Sequence, residues 1–449
     1  MNTTITLTGG VTATGATTGA ETFLLTGGAN TVLLAGAADT VDVTTGGQDR
    51  IDLNATGFSH ATVDSINLGA SAGNRVFASH ALTGADITIS GGAGANRVAL
   101  TNHGGTTTIA LTGAAPPPPG QFWQTPGPSV WLNGDASNIV SITGAGGAEI
   151  AIGKPGDGDT GDTARLDVAG AGNHVLGGDE AFTVTAAGAD NTVFLGAGNN
   201  TLSLAGVGDQ VALGSGDNDI TLGGGGRLVL EMGGAGARDQ ITLGSITTQT
   251  GGWFSQGDQI IGGNENVLLV GPAGSAANVL LGNGDDSIML GTGRVSLGLS
   301  AANTATDQVA LLQGGSQLVL NGGTDTALLA GKGGDQVLLN GTRLGTALAA
   351  AGSFDSITLA ADANAAIAEA SGAGGLHLTV LGDAAGGLGE ITINGLAQDK
   401  LASIDLVGTG SYTVAHAAGG ITLDFAHGSI ELAGLTALPP GLLTETPSG

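Results

Sequence analysis

The stretch Gly196–Leu222, GAGNNTLSLAGVGDQVALGSGDNDITL, holds three consecutive copies of one small unit. Asn200-Thr-Leu-Ser-Leu204, Asp209-Gln-Val-Ala-Leu213 and Asn218-Asp-Ile-Thr-Leu222 each begin on an Asx residue, and the starts at 200, 209 and 218 lie nine residues apart. Each copy is a glycine turn, an Asx and a five-residue segment whose apolar side chains alternate with polar ones, the period of an extended chain. A strand that short cannot bury its apolar face alone, so the copies must stack on one another.

The unit recurs in both directions. Upstream it reads Asn30-Thr-Val-Leu-Leu34, Asp39-Thr-Val-Asp-Val43, Asp49-Arg-Ile-Asp-Leu53, Asp64-Ser-Ile-Asn-Leu68, Asn74-Arg-Val-Phe-Ala78 and Asn96-Arg-Val-Ala-Leu100. Downstream it continues through Asp239, Asn266, Asp286, Asp307, Asp325 and Asp335 to Asp355-Ser-Ile-Thr-Leu359. Short turns of Gly with Asn or Asp tolerate left-handed backbone angles, and Asx side chains bond to nearby backbone in turns. The expected fold is therefore all-β, a parallel solenoid of roughly nine-residue repeats. Two repeats per coil would make a two-faced β-roll and three a triangular β-helix; the repeat length leaves both open.

Four regions are expected. Residues 1–113 form a solenoid behind a Thr-rich start, expected as irregular capping strands, and residues 114–131, AAPPPPGQFWQTPGPSVW, form a projecting loop or linker. Consecutive prolines cannot donate to a strand ladder. Residues 132–360 resume the solenoid, with a second excursion at Ser245–Gly257, and residues 361–449 form a β-rich C-terminal cap where the Gly-Asx spacing is lost. Within the last boundary, Ala360–Ala370 has the alanine content of a helix or a loop.

Composition narrows the function classes. Glycine contributes 86 of 449 residues and aromatics 3%, so Leu, Val, Ile and Ala must fill a narrow interior. A hydrophobic share of 41% argues against disorder, and the absence of a strict Gly-X-Y period excludes collagen. A net charge of −27, from 38 acidic and 11 basic residues, disfavours nucleic acid and anionic membranes and favours cations. Cysteine is absent, which rules out disulfides and thiolate metal sites. No apolar run is long enough to insert into a membrane. The start, MNTTITLTGG, lacks a basic segment followed by a long apolar one, so export without an N-terminal signal peptide is expected.

Leu281-Gly-Asn-Gly-Asp-Asp-Ser-Ile288 matches the nonapeptide G-G-x-G-x-D-x-U-x with only the first glycine replaced, and the segments starting at Leu195, Leu213 and Ala330 are looser copies. On these residues the chain resembles the RTX, or haemolysin-type calcium-binding, repeat family, over roughly residues 190–340. The resemblance implies Ca2+ held by turn oxygens on one edge of the roll. It points to Asp285, Asp286 and Asp335 first, then Gly282, Gly284, Asp209, Asp217, Asp307 and Asp325. Hard oxygen ligands in flexible turns suit that ion. The family's geometry would pair Asn200 with Asn218 and Asp307 with Asp325. The alternative role of each Asx is a stacked turn held by side-chain ladders. Gly420–Leu438 is also similar to the terminal hairpin and tail of type I secretion substrates, which implies folding on meeting calcium outside the cell.

No H-E-x-x-H, G-x-S-x-G or phosphate loop is present, and the seven histidines are scattered, so no catalytic residues are expected. Arg50, Arg75 and Arg97 each follow an Asx by one place and would form a short outward column, either free to bind acidic polysaccharide or paired with Asp42, Asp52 or Asp64. Gln210, Gln240, Gln259, Gln308 and Gln336 share that place and predict solvated outward ladders. Trp123, Trp131 and Trp253 lie in or beside the two excursions and would stack on sugars, contact another subunit or pack on the solenoid flank.

The expected function is a secreted, calcium-associated structural solenoid of the cell surface or extracellular matrix, self-associating or bound to cell-surface polysaccharide. A carbohydrate-binding or carbohydrate-active solenoid, and more remotely an ice- or surface-binding array, are the alternatives.

Overall fold

The computed structural model describes residues 3–16, 19–35, 38–54, 63–113, 127–134, 136–144, 146–153, 163–224, 226–230, 238–243, 258–262, 266–271, 276–298, 305–312, 315–329, 335–340, 346–350, 356–361, 365–369, 376–383, 388–394, 401–417 and 419–446. Among these residues every regular element is a β-strand. None is a helix long and apolar enough to cross a membrane. The contacts divide the chain into two units, Met1–Arg227 and Leu228–Gly449, each a parallel solenoid in its own right.

Through most of the chain strands pair with the strand two places along; the long strand Arg97–Gly113 and the C-terminal meander also pair with their immediate neighbours. In the first unit Thr163–Val168, Ala181–Ala186, Thr201–Leu204 and Asp219–Leu222 form one parallel run. The strands between them, His174–Gly177, Thr192–Leu195 and Asp209–Leu213, form another. One coil therefore holds two strands, which settles the choice in favour of a two-faced roll. The register Val184↔Leu202↔Ile220 repeats every 18 residues, two nine-residue units.

This alternation follows from turn chemistry. A glycine turn of two to four residues leaves room for a sharp reversal after each strand, so consecutive units fall on opposite sheets. Inward residues then stack in columns. Phe23, Val41, Ile66 and Ile89 stand in register and are essentially fully buried, as are Val184, Leu202 and Ile220 further along. Each such side chain contributes about 1.5–3 kcal/mol by leaving water.

The second unit repeats the plan. Ser287–Leu290, Gln308–Leu311 and Thr326–Leu329 form one parallel run. Thr292–Leu297, Gln317–Asn321, Gln336–Asn340 and Ser356–Leu359 form the other. The parallel ladder continues into the C-terminal region, where Leu401–Val407 pairs with Leu443–Thr446. Ser429–Ala433 is parallel to Glu390–Asn394 on one side and antiparallel to Gly420–Asp424 on the other. Thr413–Ala417 pairs antiparallel with Gly420–Asp424 and finishes a small meander.

Three sequence expectations are corrected. The alanine-rich segment is neither helix nor loop over Ala365–Glu369, which is a strand paired with Thr346–Ala350 and Glu390–Asn394. Ala365 and Ile367 face inward with Ala366 exposed between them, and parallel partners on both sides override alanine's helical preference. Trp131 is not part of a projecting loop: it lies in the strand Ser129–Asn133, paired with Arg97–Gly113 and Glu149–Ile152. The Thr-rich start is not irregular either. Thr3–Thr8 is in parallel register with Glu21–Thr26, Thr3 opposite Glu21, so the 18-residue ladder begins at the first described strand.

Candidate functional site: Asx columns inside, side-chain columns outside

Among the described residues most of the Asx that open a unit are buried at the corner of the roll, Asn266 and Asn278 being half-buried. The backbone N–H of such an Asx donates to the side-chain Oδ1 of the Asx one coil further on. Asn30 donates to Asp49 (2.8 Å), Asp49 to Asn74 (3.1 Å) and Asn74 to Asn96 (3.0 Å). Asn173 donates to Asn191 (3.1 Å) and Asn191 to Asp209 (2.8 Å). In the second unit Asp286 donates to Asp307 (3.0 Å), Asp307 to Asp325 (3.4 Å) and Ser316 to Asp335 (2.7 Å). Each column ties a turn to its neighbour where the strand ladder has already ended. An N–H there would otherwise be buried without a partner, at a cost of about 1–3 kcal/mol.

Asn and Asp fill this position with different consequences. An Asn uses both ends: Asn200 Nδ2 donates to the Gly198 carbonyl (2.6 Å) and Asn218 Nδ2 to that of Gly216 (2.9 Å). An Asp carries a second oxygen in place of that donor. The Oδ2 atoms of Asp39, Asp49 and Asp325 are buried and accept no hydrogen bond among the described residues. Four column carboxyl groups, Asp39, Asp209, Asp307 and Asp325, are shifted upward. Burial pushes Asp39 up to about 6, and the nearby Asp64 and Glu21 charges add to it while the Glu21 N–H bond opposes. Burial likewise raises Asp307 to about 6 and Asp325 to about 7, the latter helped by the charge of Asp307. Asp209 is raised by burial as well.

The candidate calcium residues thus fall into two sets. Asp209, Asp286, Asp307, Asp325 and Asp335 are buried column members. Asn200 meets Asn218, and Asp307 meets Asp325, one coil apart on the same edge, as the family's geometry implies. Asp285 and Asp217 are exposed on the outside of their turns; Asp285 Oδ1 accepts the Thr306 N–H (2.8 Å), and the Asp217 N–H donates to Asn199 Oδ1 (3.0 Å). Gly282 and Gly284 are buried, and the Gly282 carbonyl accepts the Gly298 N–H (2.8 Å). The donor set suits a hard cation in kind, since it consists of carboxylate and carbonyl oxygens. It is sparse in carboxylates: among the described residues no group of three or more His, Cys, Asp or Glu could hold a metal ion. Any bound cation would therefore rely mainly on turn carbonyls, with at most a pair of carboxylates such as Asp307 and Asp325.

Outside the roll, side chains one coil apart also align. On one face of the first unit Thr4, Thr22, Thr40, Ser65, Thr88 and Thr108 stand in register. In the second unit Gln317 and Gln336 stack, with Gln317 Nε2 donating to Gln336 Oε1 (3.2 Å). The arginine column exists: Arg50 lies opposite Arg75, and Arg75 opposite Arg97, all exposed. The acids offered as its partners are engaged elsewhere. Asp42 accepts from Asn67 Nδ2 (3.0 Å) and Asp52 from the Ser79 N–H (2.9 Å) and hydroxyl.

One column escaped the sequence reading. Two places after the arginines, Phe77, Ala99, Trp131, Ala151, Leu176 and Phe194 stand in register on the same face. Trp131, Leu176 and Phe194 are each more than two-fifths exposed. The signal was present, because Phe77, Leu176 and Phe194 each hold the fourth place of their unit, an outward one. Recognising it required knowing which units share a sheet. Trp123 and Trp253 lie outside the described residues.

Comparison with known proteins adds one match, to the family model described as Protein of unknown function (DUF3060), over residues 160–208. The described part of the matched segment, residues 163–208, is a regular part of the first unit, carrying the Asn173–Asn191 rung. No curated protein matches the chain, and no solved structure does.

Proposed function

We propose that this protein is a secreted structural β-solenoid of the cell surface or extracellular matrix, of the surface-layer or biofilm-matrix type, that self-associates and takes up Ca2+ at its acidic columns. The observation that carries the reading is where the polar residues go. The Asx of each unit is consumed in joining one coil to the next, and the alternating strand residues either fill the core or form outward ladders. A sequence spent this way is a scaffold.

The calcium part rests on the buried Asp307–Asp325 pair, whose burial raises both carboxyl groups and so favours a proton or a cation beside them, and on the resemblance of Leu281–Ile288 to RTX turns. Export rests on the resemblance of Gly420–Leu438 to type I secretion tails. Circular dichroism and thermal melting with calcium and with a chelator test the first claim. We expect the β signal or its melting midpoint to drop on chelation; an unchanged midpoint would sink calcium binding and leave the solenoid intact. Light scattering at rising protein concentration tests self-association, and a strictly monomeric chain with calcium present defeats it. The arginine column favours carbohydrate binding as a second reading, developed below.

A further inference from the structure

We propose that Arg50, Arg75 and Arg97, with the flanking rings of Phe77 and Trp131, form a binding strip for an acidic polysaccharide whose sugars carry carboxylates. The inference concerns the first unit alone and stands whether or not the scaffold reading does.

The arginines occupy the same outward place on three consecutive coils, about 4.8 Å apart at the backbone. Like charges directly opposite each other in a sheet repel. Among the described residues none of the three is in an ion pair, and Asp42, Asp52 and Asp64 bond to Asn67, Ser79 and Asp39. Three of the chain's 11 basic residues are therefore stacked against one another in a protein of net charge −27. Scaffolding does not require this, since other columns fill the equivalent place with Thr, Ser or Gln.

The neighbouring column supplies the second observation. The Arg50 guanidinium sits 4.1 Å from the centre of the Phe77 ring, which holds it over the face. Trp131, in register beyond Ala99, is 41% exposed on the same side. A uronate polymer has both complementary features: a carboxylate on each sugar for a guanidinium fork and a ring face of C–H groups for an aromatic side chain. The acidic remainder of the protein repels a polyanion elsewhere and confines it to this strip.

The test is calorimetric titration of the full chain with an oligogalacturonate too short to gel with calcium, against its fully methyl-esterified form. We expect binding of the acid and none of the ester, weakening as salt is raised. The double variant R75Q/R97Q should bind about tenfold or more weakly, while R165Q/R294Q, which changes net charge equally, should stay within about twofold. Trp131→Ala should weaken binding and leave the thermal midpoint in place. Equal losses in both double variants would reduce the strip to non-specific charge and overturn the proposal. So would absence of binding together with loss of self-association in R75Q/R97Q, which would make the column a contact to a second copy. Inorganic polyphosphate binding as tightly as the oligogalacturonate, with Trp131→Ala silent, would overturn the polysaccharide assignment too.

Discussion

At the scale of single residues, the choice between Asn and Asp in the buried columns sets the chemistry. Asp39 Oδ1 accepts the Glu21 N–H (3.0 Å), and the Asp39 N–H donates to Asp64 Oδ1 (3.0 Å), but Asp39 Oδ2 has only burial around it. In the unfolded chain this carboxyl loses its proton near its ordinary value of 3.8, and in the folded chain at about 6. Between those values the folded state binds the extra proton, so the stability it contributes is complete below the lower value and lost as pH rises through the upper one. Melting should therefore occur at lower temperature at about pH 7.5 than at about pH 5. Asp39→Asn should raise the midpoint at the higher pH by about 2–4 °C and shrink the difference between the two, as differential scanning calorimetry would show. A glycine makes the opposite point. A Cβ on Gly206 would run into the Gly188 carbonyl of the adjacent coil, as one on Gly188 would into that of Gly170. Gly206→Ala should cost about 1–3 kcal/mol in denaturant titration, with no change in charge or hydrogen bonding to account for it.

At the scale of the element, a strand here is stable only as a rung. Thr192–Leu195 has four residues and depends on His174–Gly177 and Asp209–Leu213 for its backbone partners. Its corner is fastened by Asn191, whose Oδ1 accepts both the N–H and the Nδ2 of Asn173 (3.1 and 2.9 Å). Asn191→Ala leaves the Asn173 N–H buried without an acceptor, while its Nδ2 keeps the Gly170 carbonyl (2.9 Å), an expected loss of about 1–3 kcal/mol. Amide exchange should quicken first at Asn173 and the turns beside it, and an even acceleration through the whole unit would contradict this rung-by-rung picture. Much of this was legible in sequence. The alternation of Val211 and Leu213 with Gln210 and Ala212 already assigned inward and outward faces. What it could not assign was the alanine-rich strand Ala365–Glu369, because nothing local distinguishes an alanine strand from an alanine helix until its partners are in place.

At the scale of the whole molecule, contacts run mainly between successive coils, so stability is close to a sum over neighbours. Unfolding should depart from two-state behaviour, with a calorimetric enthalpy well above the van't Hoff value and a denaturant slope below that expected for 449 residues. A single sharp transition with matching enthalpies would mean the coils are coupled more globally than nearest-neighbour contacts allow. The same one-dimensional order creates the outward columns: a parallel register, stepping 18 residues in the regular coils and 25 and 22 along the arginines, places a residue type chosen at one place in the unit above its counterpart in the next coil. The arginine strip is a property of that stacking, and no single coil has it.

The nine-residue period by itself determined that the chain is an all-β solenoid, which residues face the core and which glycines and Asx make the turns, because these depend only on alternation and local backbone preference. It also put Arg50, Arg75 and Arg97 at one place in the unit. Tertiary structure alone decided that two units close a coil, since nine residues per step suit a two-sided or a three-sided path equally well. It decided that the Asx are buried fasteners between coils, because their hydrogen-bond partners lie about 18 to 25 residues away. It decided, too, that the Phe77 ring lies beneath Arg50 and that Trp131 shares a face with the arginines, a neighbourhood created only when strands from successive coils are laid side by side.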